Sequence, residues 1–200
     1  MKNWWYYHKW YVICGVILFF IAIDIIGNNL GWFKDTPDIQ IAYIGDAPLS
    51  ADTAASLENT FTSLAKDYNH DGKILIKINQ FVSGASTDDA ESLSYQQAAE
   101  IALIGDIDNC TSYFFLMENP GKVQREFQVL AMPDGSCPDE YDFSAESKVI
   151  PWDYGLYLGR RCFYNKKQTP YADECSQIWD TLQSNTPPQT KGQQAYSAVK

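Results

Sequence analysis

The sequence predicts an α/β fold in which an open, mainly parallel sheet carries helices on both faces and is preceded by one transmembrane helix. Three short apolar runs, Ile39–Ile44, Ile74–Phe81 and Tyr113–Met117, have the length and composition of buried strands. Helical patterns fill the stretches between them, and a longer apolar segment lies near the N-terminus. The order β-α-β-α-β with short connections is typical of parallel strands joined by right-handed crossovers.

The apolar segment near the N-terminus runs from Trp10 to Gly27 and contains one charge, Asp24. As a helix, its 18 residues would be about 27 Å long, close to the roughly 30 Å of a bilayer's hydrocarbon core. Lys2 and Lys9 precede it, which by the positive-inside rule predicts a cytoplasmic N-terminus. A cleaved signal peptide and a buried core helix are the alternatives, but the run lacks a good cleavage site.

These boundaries divide the chain into five segments. Residues 1–9 form a cytoplasmic tail, 10–28 a transmembrane anchor and 29–37 a juxtamembrane linker. Residues 38–183 form an extracytoplasmic α/β domain, and 184–200 a polar tail that we expect to be disordered. The predicted location is therefore the cell membrane, crossed once.

Capping residues predict where the helices of the domain begin. Ser50 is a good N-cap for the first helix, and Asp88 or Asp89 for the second. Pro120 and the following glycine open a short third helix that ends near Leu130. Weaker patterns predict a strand at Leu156–Phe163 and a helix at Tyr171–Leu182.

The charge balance excludes some partners. From Asn28 onward the chain has 13 Lys and Arg against 24 Asp and Glu, so 13 − 24 gives −11. Such a field repels nucleic acid and anionic lipid headgroups, and no basic stripe offsets it. We therefore expect no nucleic-acid partner.

The cysteines fall into two groups. Cys14 lies in the apolar segment, and Cys110, Cys137, Cys162 and Cys175 lie beyond it. Four cysteines allow three disulfide pairings, and four unpaired thiols are an equally good interpretation. If one bridge exists, Cys162 with Cys175 is the first expectation, because both lie in one compact stretch. No Cys-x-x-Cys pair occurs and no histidine lies near, so zinc is disfavoured and no cofactor is expected.

Several strings carry a family resemblance: PDIQIAYIGD, then DYNHDGK leading into ILIKINQF, and later YFFLMENP. Together with an aromatic-rich apolar N-terminal segment, they resemble membrane-anchored extracytoplasmic proteins of Gram-positive bacteria whose domain is similar to part of a type II periplasmic solute-binding protein. The resemblance covers roughly residues 37–130. It implies a single α/β lobe and, by analogy, capture of a small solute. Because such proteins close two lobes over the ligand, one lobe would lack the usual cleft.

Polar residues follow the carboxyl end of each predicted parallel strand, where open α/β sheets bind ligands. A helix N-terminus in the same region could hold a polar or anionic group. The simpler interpretation is that these residues cap helices and turns. The candidate ligand-binding residues are Asp46, Ser50, Ser83, Ser86, Glu118 and Asn119.

The stretch from Asp67 to Gly72 matches the first half of a calcium-binding loop, with oxygen ligands at Asp67, Asn69 and Asp71. The acidic residue that normally closes such a loop at position twelve is replaced by Ile78. The pattern therefore favours a helix-to-strand turn over a metal site.

The remaining charged residues indicate no catalytic centre. A basic cluster of Arg160, Arg161, Lys166 and Lys167 is expected to be solvated or to pair with nearby acidic residues. Asp106 and Asp108 are expected to cap a helix end or to lie in solvent. No nucleophile–histidine arrangement or phosphate-binding motif occurs, so we expect no enzyme.

Two functions stay open. The first is a non-catalytic, membrane-tethered module that binds a small polar solute and serves as an accessory to a transporter. The alternative is a structural or interaction subunit of a cell-envelope complex, a degenerate lobe that docks on another protein. A compact pocket at the strand ends would favour the first function, and an exposed apolar patch would favour the second.

Overall fold

The computed structural model describes residues 2–29, 35–84, 90–139, 147–164 and 167–185. The chain separates into two units, Met1–Thr36 and Pro37–Lys200, and each is described here by itself.

The first unit contains one helix, α1, at Lys2–Asn29. Nowhere in the described ranges is a helix both long enough and apolar enough to cross a membrane. The predicted transmembrane anchor at residues 10–28 is wrong by this finding.

The second unit is an α/β domain built on one five-stranded sheet. In chain order its elements are β1 Ile39–Gly45, α2 Ala51–Leu64, β2 Ile76–Val82, α3 Ala90–Asn109, β3 Phe114–Met117, α4 Pro120–Phe127, β4 Val149–Pro151, a 3₁₀ turn at Asp153–Gly155, β5 Tyr157–Arg160 and α5 Ala172–Asn185.

The strand order is β2-β1-β3-β5-β4. Strands β2, β1 and β3 are parallel, whereas β5 is antiparallel to β3 and β4 is antiparallel to β5. The sheet is therefore mixed: its first part has the parallel β-α-β-α-β order, and its second part is an antiparallel pair.

Strand β1, which lies between β2 and β3, is buried on both faces because helices cover both sides of the sheet. Ile39, Ile41 and Tyr43 pack into one core, and Ala42 packs into the other. Alternate residues of β3 divide in the same way, Phe114 with the first core and Phe115 with the second.

Helices α2 and α5 cover one face of the sheet. Leu57 and Phe61 of α2 are fully buried there together with Ile178 and Trp179 of α5. On the opposite face of the sheet, helix α3 contributes Leu103 to the core and helix α4 contributes Val123.

A buried carboxylate holds the connection between α2 and β2. Asp38, which is 2% exposed, accepts hydrogen bonds from the backbone N–H groups of Tyr68, Asn69 and Leu75 at 2.7, 3.2 and 2.9 Å. Three N–H donors replace the water that the carboxylate loses on burial. The loop is thereby tied to the start of β1.

Candidate functional site

Two of the predicted ligand-binding residues meet at the carboxyl end of the parallel strands. The hydroxyl of Ser83, after β2, donates a hydrogen bond of 2.9 Å to the Asp46 carboxylate, after β1. The Ser83 backbone N–H also donates to the Gly45 carbonyl at 3.0 Å. These bonds extend the pairing of β1 and β2 past the end of the sheet.

The third strand-end residue, Glu118, lies beside a buried tyrosine. The Tyr43 hydroxyl is 2.9 Å from the Ala47 carbonyl oxygen and 3.3 Å from Glu118 Oε1. Burial, followed by the nearby Glu118 carboxylate, raises the pKa of Tyr43 to about 12. The Tyr43 side chain covers Gly45 so closely that any Cβ there would meet the Tyr43 hydroxyl. Tyr43 therefore fills the space where a strand-end pocket would begin.

Two more candidates act as helix caps. The Ser50 hydroxyl accepts the backbone N–H of Thr53 at 3.1 Å at the start of α2. Asn119 Oδ1 accepts the backbone N–H of Lys122 at 3.0 Å at the start of α4. The sixth candidate, Ser86, lies outside the described residues.

In the Asp67–Gly72 loop, side-chain oxygens accept hydrogen bonds from the loop's own backbone. Asp67 accepts the N–H groups of Asp71 and Gly72 at 3.1 and 2.8 Å, and Asn69 Oδ1 accepts that of Asp71 at 2.9 Å. These bonds are those of a tight turn. Among the described residues, no group of three or more His, Cys, Asp or Glu is placed to hold a metal ion.

The basic cluster is not uniformly solvated. Arg161 is 3% exposed and forms a 3.6 Å ion pair with buried Asp106 at the end of α3. Asp106 also accepts hydrogen bonds from the Ser112 N–H and hydroxyl at 3.1 and 2.7 Å. Of the alternatives predicted for Asp106 and Arg161, exposure to solvent is wrong for both residues, because each supplies the counter-charge that permits burial of the other.

A small recess lies at the opposite, amino-terminal edge of β1 and β3, with room for roughly one water molecule. Its walls include the Asp38 and Gln40 side chains and Thr169, whose hydroxyl is buried without a hydrogen-bond partner. The recess is too small for an amino acid or a sugar.

Helix α3 exposes several large apolar side chains beside the polar residues Ser94, Gln97 and Glu100. Leu93, Tyr95, Ile101 and Ile104 are 46%, 67%, 70% and 43% exposed, and Ala98 and Ala102 are exposed between them. We call these six side chains the α3 face. The opposite side of the same helix buries Leu103 against the sheet. A surface helix normally presents polar residues to solvent.

The charged side chains of α3 itself are all acidic. Glu100 and Asp108 are exposed on this helix, and α3 contains no Lys or Arg, although the Lys167 ammonium from the segment before α5 donates to the Asp108 carbonyl at 2.6 Å. Exposed apolar side chains on a helix whose own charges are all negative are suited to an apolar partner with basic flanks. The sequence does contain a signal for this exposed apolar surface, because apolar residues occur on all sides of the helix at residues 90–109. A search for helical periodicity does not detect that signal, because it looks only for the apolar side that is buried.

All five cysteines are free. Cys175 is packed in the core between α5 and the sheet, whereas the Cys162 thiol interacts with Cys137. The expected Cys162–Cys175 bridge is therefore not formed in this structure.

No protein-family model matches this chain, and no curated protein or solved structure is significantly similar to it. The resemblance to a solute-binding lobe consequently stays a prediction, and the functional argument rests on the chain's own residues.

Proposed function

We propose that the α/β domain is a non-catalytic protein-interaction module that binds its partner through the α3 face. The carrying observation is the exposure of Ile101 at 70%, together with that of the apolar side chains of Leu93, Tyr95 and Ile104 on the same helix. Exposed large apolar side chains grouped on one element mark interaction sites in soluble domains.

The strand ends give less support to solute capture. Asp46 binds Ser83, Glu118 lies against Tyr43, and Ser50 caps α2, so these polar groups already have partners within the domain. A solute would have to displace those hydrogen bonds and move the Tyr43 side chain. Interaction through α3 requires no such rearrangement.

The partner that fits best is an amphipathic helix with an apolar face and Lys or Arg on its flanks. Its apolar side chains would cover Ile101 and Ile104, and its cations would approach Glu100 and Asp108. A second copy of this chain fits less well, because two α3 helices would bring their carboxylates together and α3 itself carries no Lys or Arg.

The expected affinity is modest. Burying the exposed parts of Ile101 and Ile104 would contribute about 3 kcal/mol. Burying Leu93 and Tyr95 would add a comparable free energy. The loss of translational and rotational freedom on association opposes these contributions. Exposed charge pairs at the border add little energy but favour the correct partner and depend on salt.

The test uses a synthetic amphipathic helical peptide with leucines on one face and lysines on the flanks. Its control peptide has glutamates in place of the lysines. Fluorescence anisotropy with the full chain should show saturable binding of the lysine peptide, at least tenfold tighter than that of the glutamate peptide and weaker in high salt. Equal affinity for both peptides, or binding of neither, would overturn the proposal.

A thermal-shift panel of amino acids, sugars, oligopeptides, phosphate and calcium tests the competing function. We expect no shift from any of them. A ligand at a hundredfold over its Kd would add about 2.7 kcal/mol, or roughly 5–10 °C for a domain of this size. A shift of that size from one solute class would favour solute capture instead.

A further inference from the structure

A pair of cysteines lies where the segment after β5 meets the loop that precedes β4. Cys162 is 4% exposed, and its backbone N–H donates to the Val129 carbonyl at 2.9 Å. Cys137 lies in the loop and is partly exposed. The two residues are 25 positions apart in sequence, since 162 − 137 gives 25.

Hydrogen bonds hold the two segments together at one backbone carbonyl. The Cys162 thiol donates to the Gln128 carbonyl at 3.6 Å, and the Tyr164 hydroxyl is 2.9 Å from the same oxygen. The Tyr164 hydroxyl is also 3.3 Å from the carbonyl oxygen of Pro138, the residue after Cys137. The loop bearing Cys137 is thereby fixed against the segment bearing Cys162.

The Cys137 side chain is a neighbour of the Cys162 thiol. The pKa of Cys162 is raised to about 12, mainly by burial and to a smaller extent by a hydrogen bond with Cys137 and the charge of that thiol. The other two cysteines of the domain have different neighbours: Cys110 donates to the Lys167 carbonyl at 3.6 Å, and Cys175 is surrounded by the core and Glu174. Cys137 and Cys162 are thus a specific pair.

We propose that Cys137 and Cys162 form a reversible disulfide when the folded protein meets hydrogen peroxide. The partly exposed Cys137 sulfur attacks one peroxide oxygen, which breaks the O–O bond and gives a sulfenic acid and one water. The Cys162 sulfur then displaces the hydroxyl from Cys137, loses its proton and releases a second water. One peroxide is reduced and two thiols are oxidised, so atoms and electrons balance.

The bridge would join the loop before β4 to the end of β5 and close the chain between them into a ring. Such a ring limits the unfolded chain more than the folded one, so the oxidised protein should unfold at a temperature several degrees higher. A dithiol reductant should reverse the change.

The test is mass spectrometry of the native full chain after peroxide treatment. Free thiols are alkylated in denaturant, and the protein is digested and its cross-linked peptides are sequenced. We expect one cross-link, between Cys137 and Cys162, with the loss of two hydrogen atoms. Cys137→Ser, at a partly exposed position, should fold and lose the cross-link.

Cys110→Ser and Cys175→Ser are the matched controls and should retain it. A Cys162–Cys175 cross-link, or over-oxidation of Cys137 with Cys162 still free, would overturn the proposal. Alkylation of the wild-type chain gives the same answer without any variant, because the proposed bridge protects two particular thiols and leaves Cys110 and Cys175 reactive in denaturant.

Discussion

Helices α2 and α3 both pack against strand β2, yet their outward sides differ in chemistry. The exposed side of α2 is mainly polar, with Asp52, Glu58 and Asn59 among its residues, whereas that of α3 presents Leu93 and Ile101. Both helices bury apolar residues inward, so packing against the sheet does not require an apolar exterior. This difference is the basis of the proposal that the exterior of α3 serves a second contact.

The first and largest expected effect concerns how α3 is held in place. Asp106→Ala should lower the free energy of unfolding by about 3–5 kcal/mol, because it leaves the Arg161 guanidinium buried without its counter-charge. Urea unfolding at neutral pH measures the change. A decrease in the free energy of unfolding below about 1 kcal/mol would mean that the ion pair does not fix the end of α3. The comparison between the outward sides of α2 and α3 would then lose its basis.

The second prediction concerns the inner side of α2. Leu57→Ala should cost about 2–5 kcal/mol, because Leu57 is fully buried against the sheet and its removal leaves a cavity. The same urea experiment applies. If Leu57→Ala were neutral, α2 would not be anchored as described, and its polar exterior could not serve as a reference for α3.

Alkaline pH probes the core beneath α2 without a substitution. Burial, followed by the Glu174 charge, raises the pKa of the Cys175 thiol from 9.0 to about 12. Between those values the folded state holds a proton that the unfolded state has lost. The contribution of Cys175 to the free energy of unfolding is therefore complete below pH 9 and is lost as pH rises from 9 to 12, by up to about 1.4 kcal/mol per pH unit.

Thermal unfolding from pH 8 to 11 measures this decline, with Cys175→Ala as the control. The variant starts less stable but should lose less of its stability over the same range. Parallel curves for both proteins would show that Cys175 does not titrate as its burial requires.

The smallest expected effect is at the α3 face itself. Ile101→Ala should change the free energy of unfolding by less than about 0.5 kcal/mol, because the side chain is 70% exposed. A cost similar to that of Leu57→Ala would show that Ile101 is covered within the folded chain. The α3 face would then belong to the core rather than to an interface.

Local patterns were sufficient for much of the fold. The strands at Ile39–Ile44 and Tyr113–Met117 were predictable because central parallel strands are continuously apolar. Strand β4 was not, since it has three residues and ends in Pro151. The caps at Ser50 and Asn119 followed from residue type, although they had been proposed as ligand contacts.

Features that depend on distant partners could not be predicted from local sequence. Burial of Arg161 requires Asp106, which is 55 positions earlier, since 161 − 106 gives 55. The closure of the strand ends by Tyr43 depends on the close approach of three segments. The anchor prediction rested on the length of the apolar run and on the lysines before it, and it is wrong by the structural finding.

The central claim is that the α3 face binds a basic amphipathic helix, and two charge-matched variants test it most directly. Ile101→Lys on α3 and Asn59→Lys on α2 each add one positive charge at an exposed helical position. Anisotropy titration with the lysine-flanked peptide should show affinity reduced at least thirtyfold by Ile101→Lys, about 2 kcal/mol, and changed less than threefold by Asn59→Lys. Equal effects of the two variants, or wild-type affinity in Ile101→Lys, would contradict the claim.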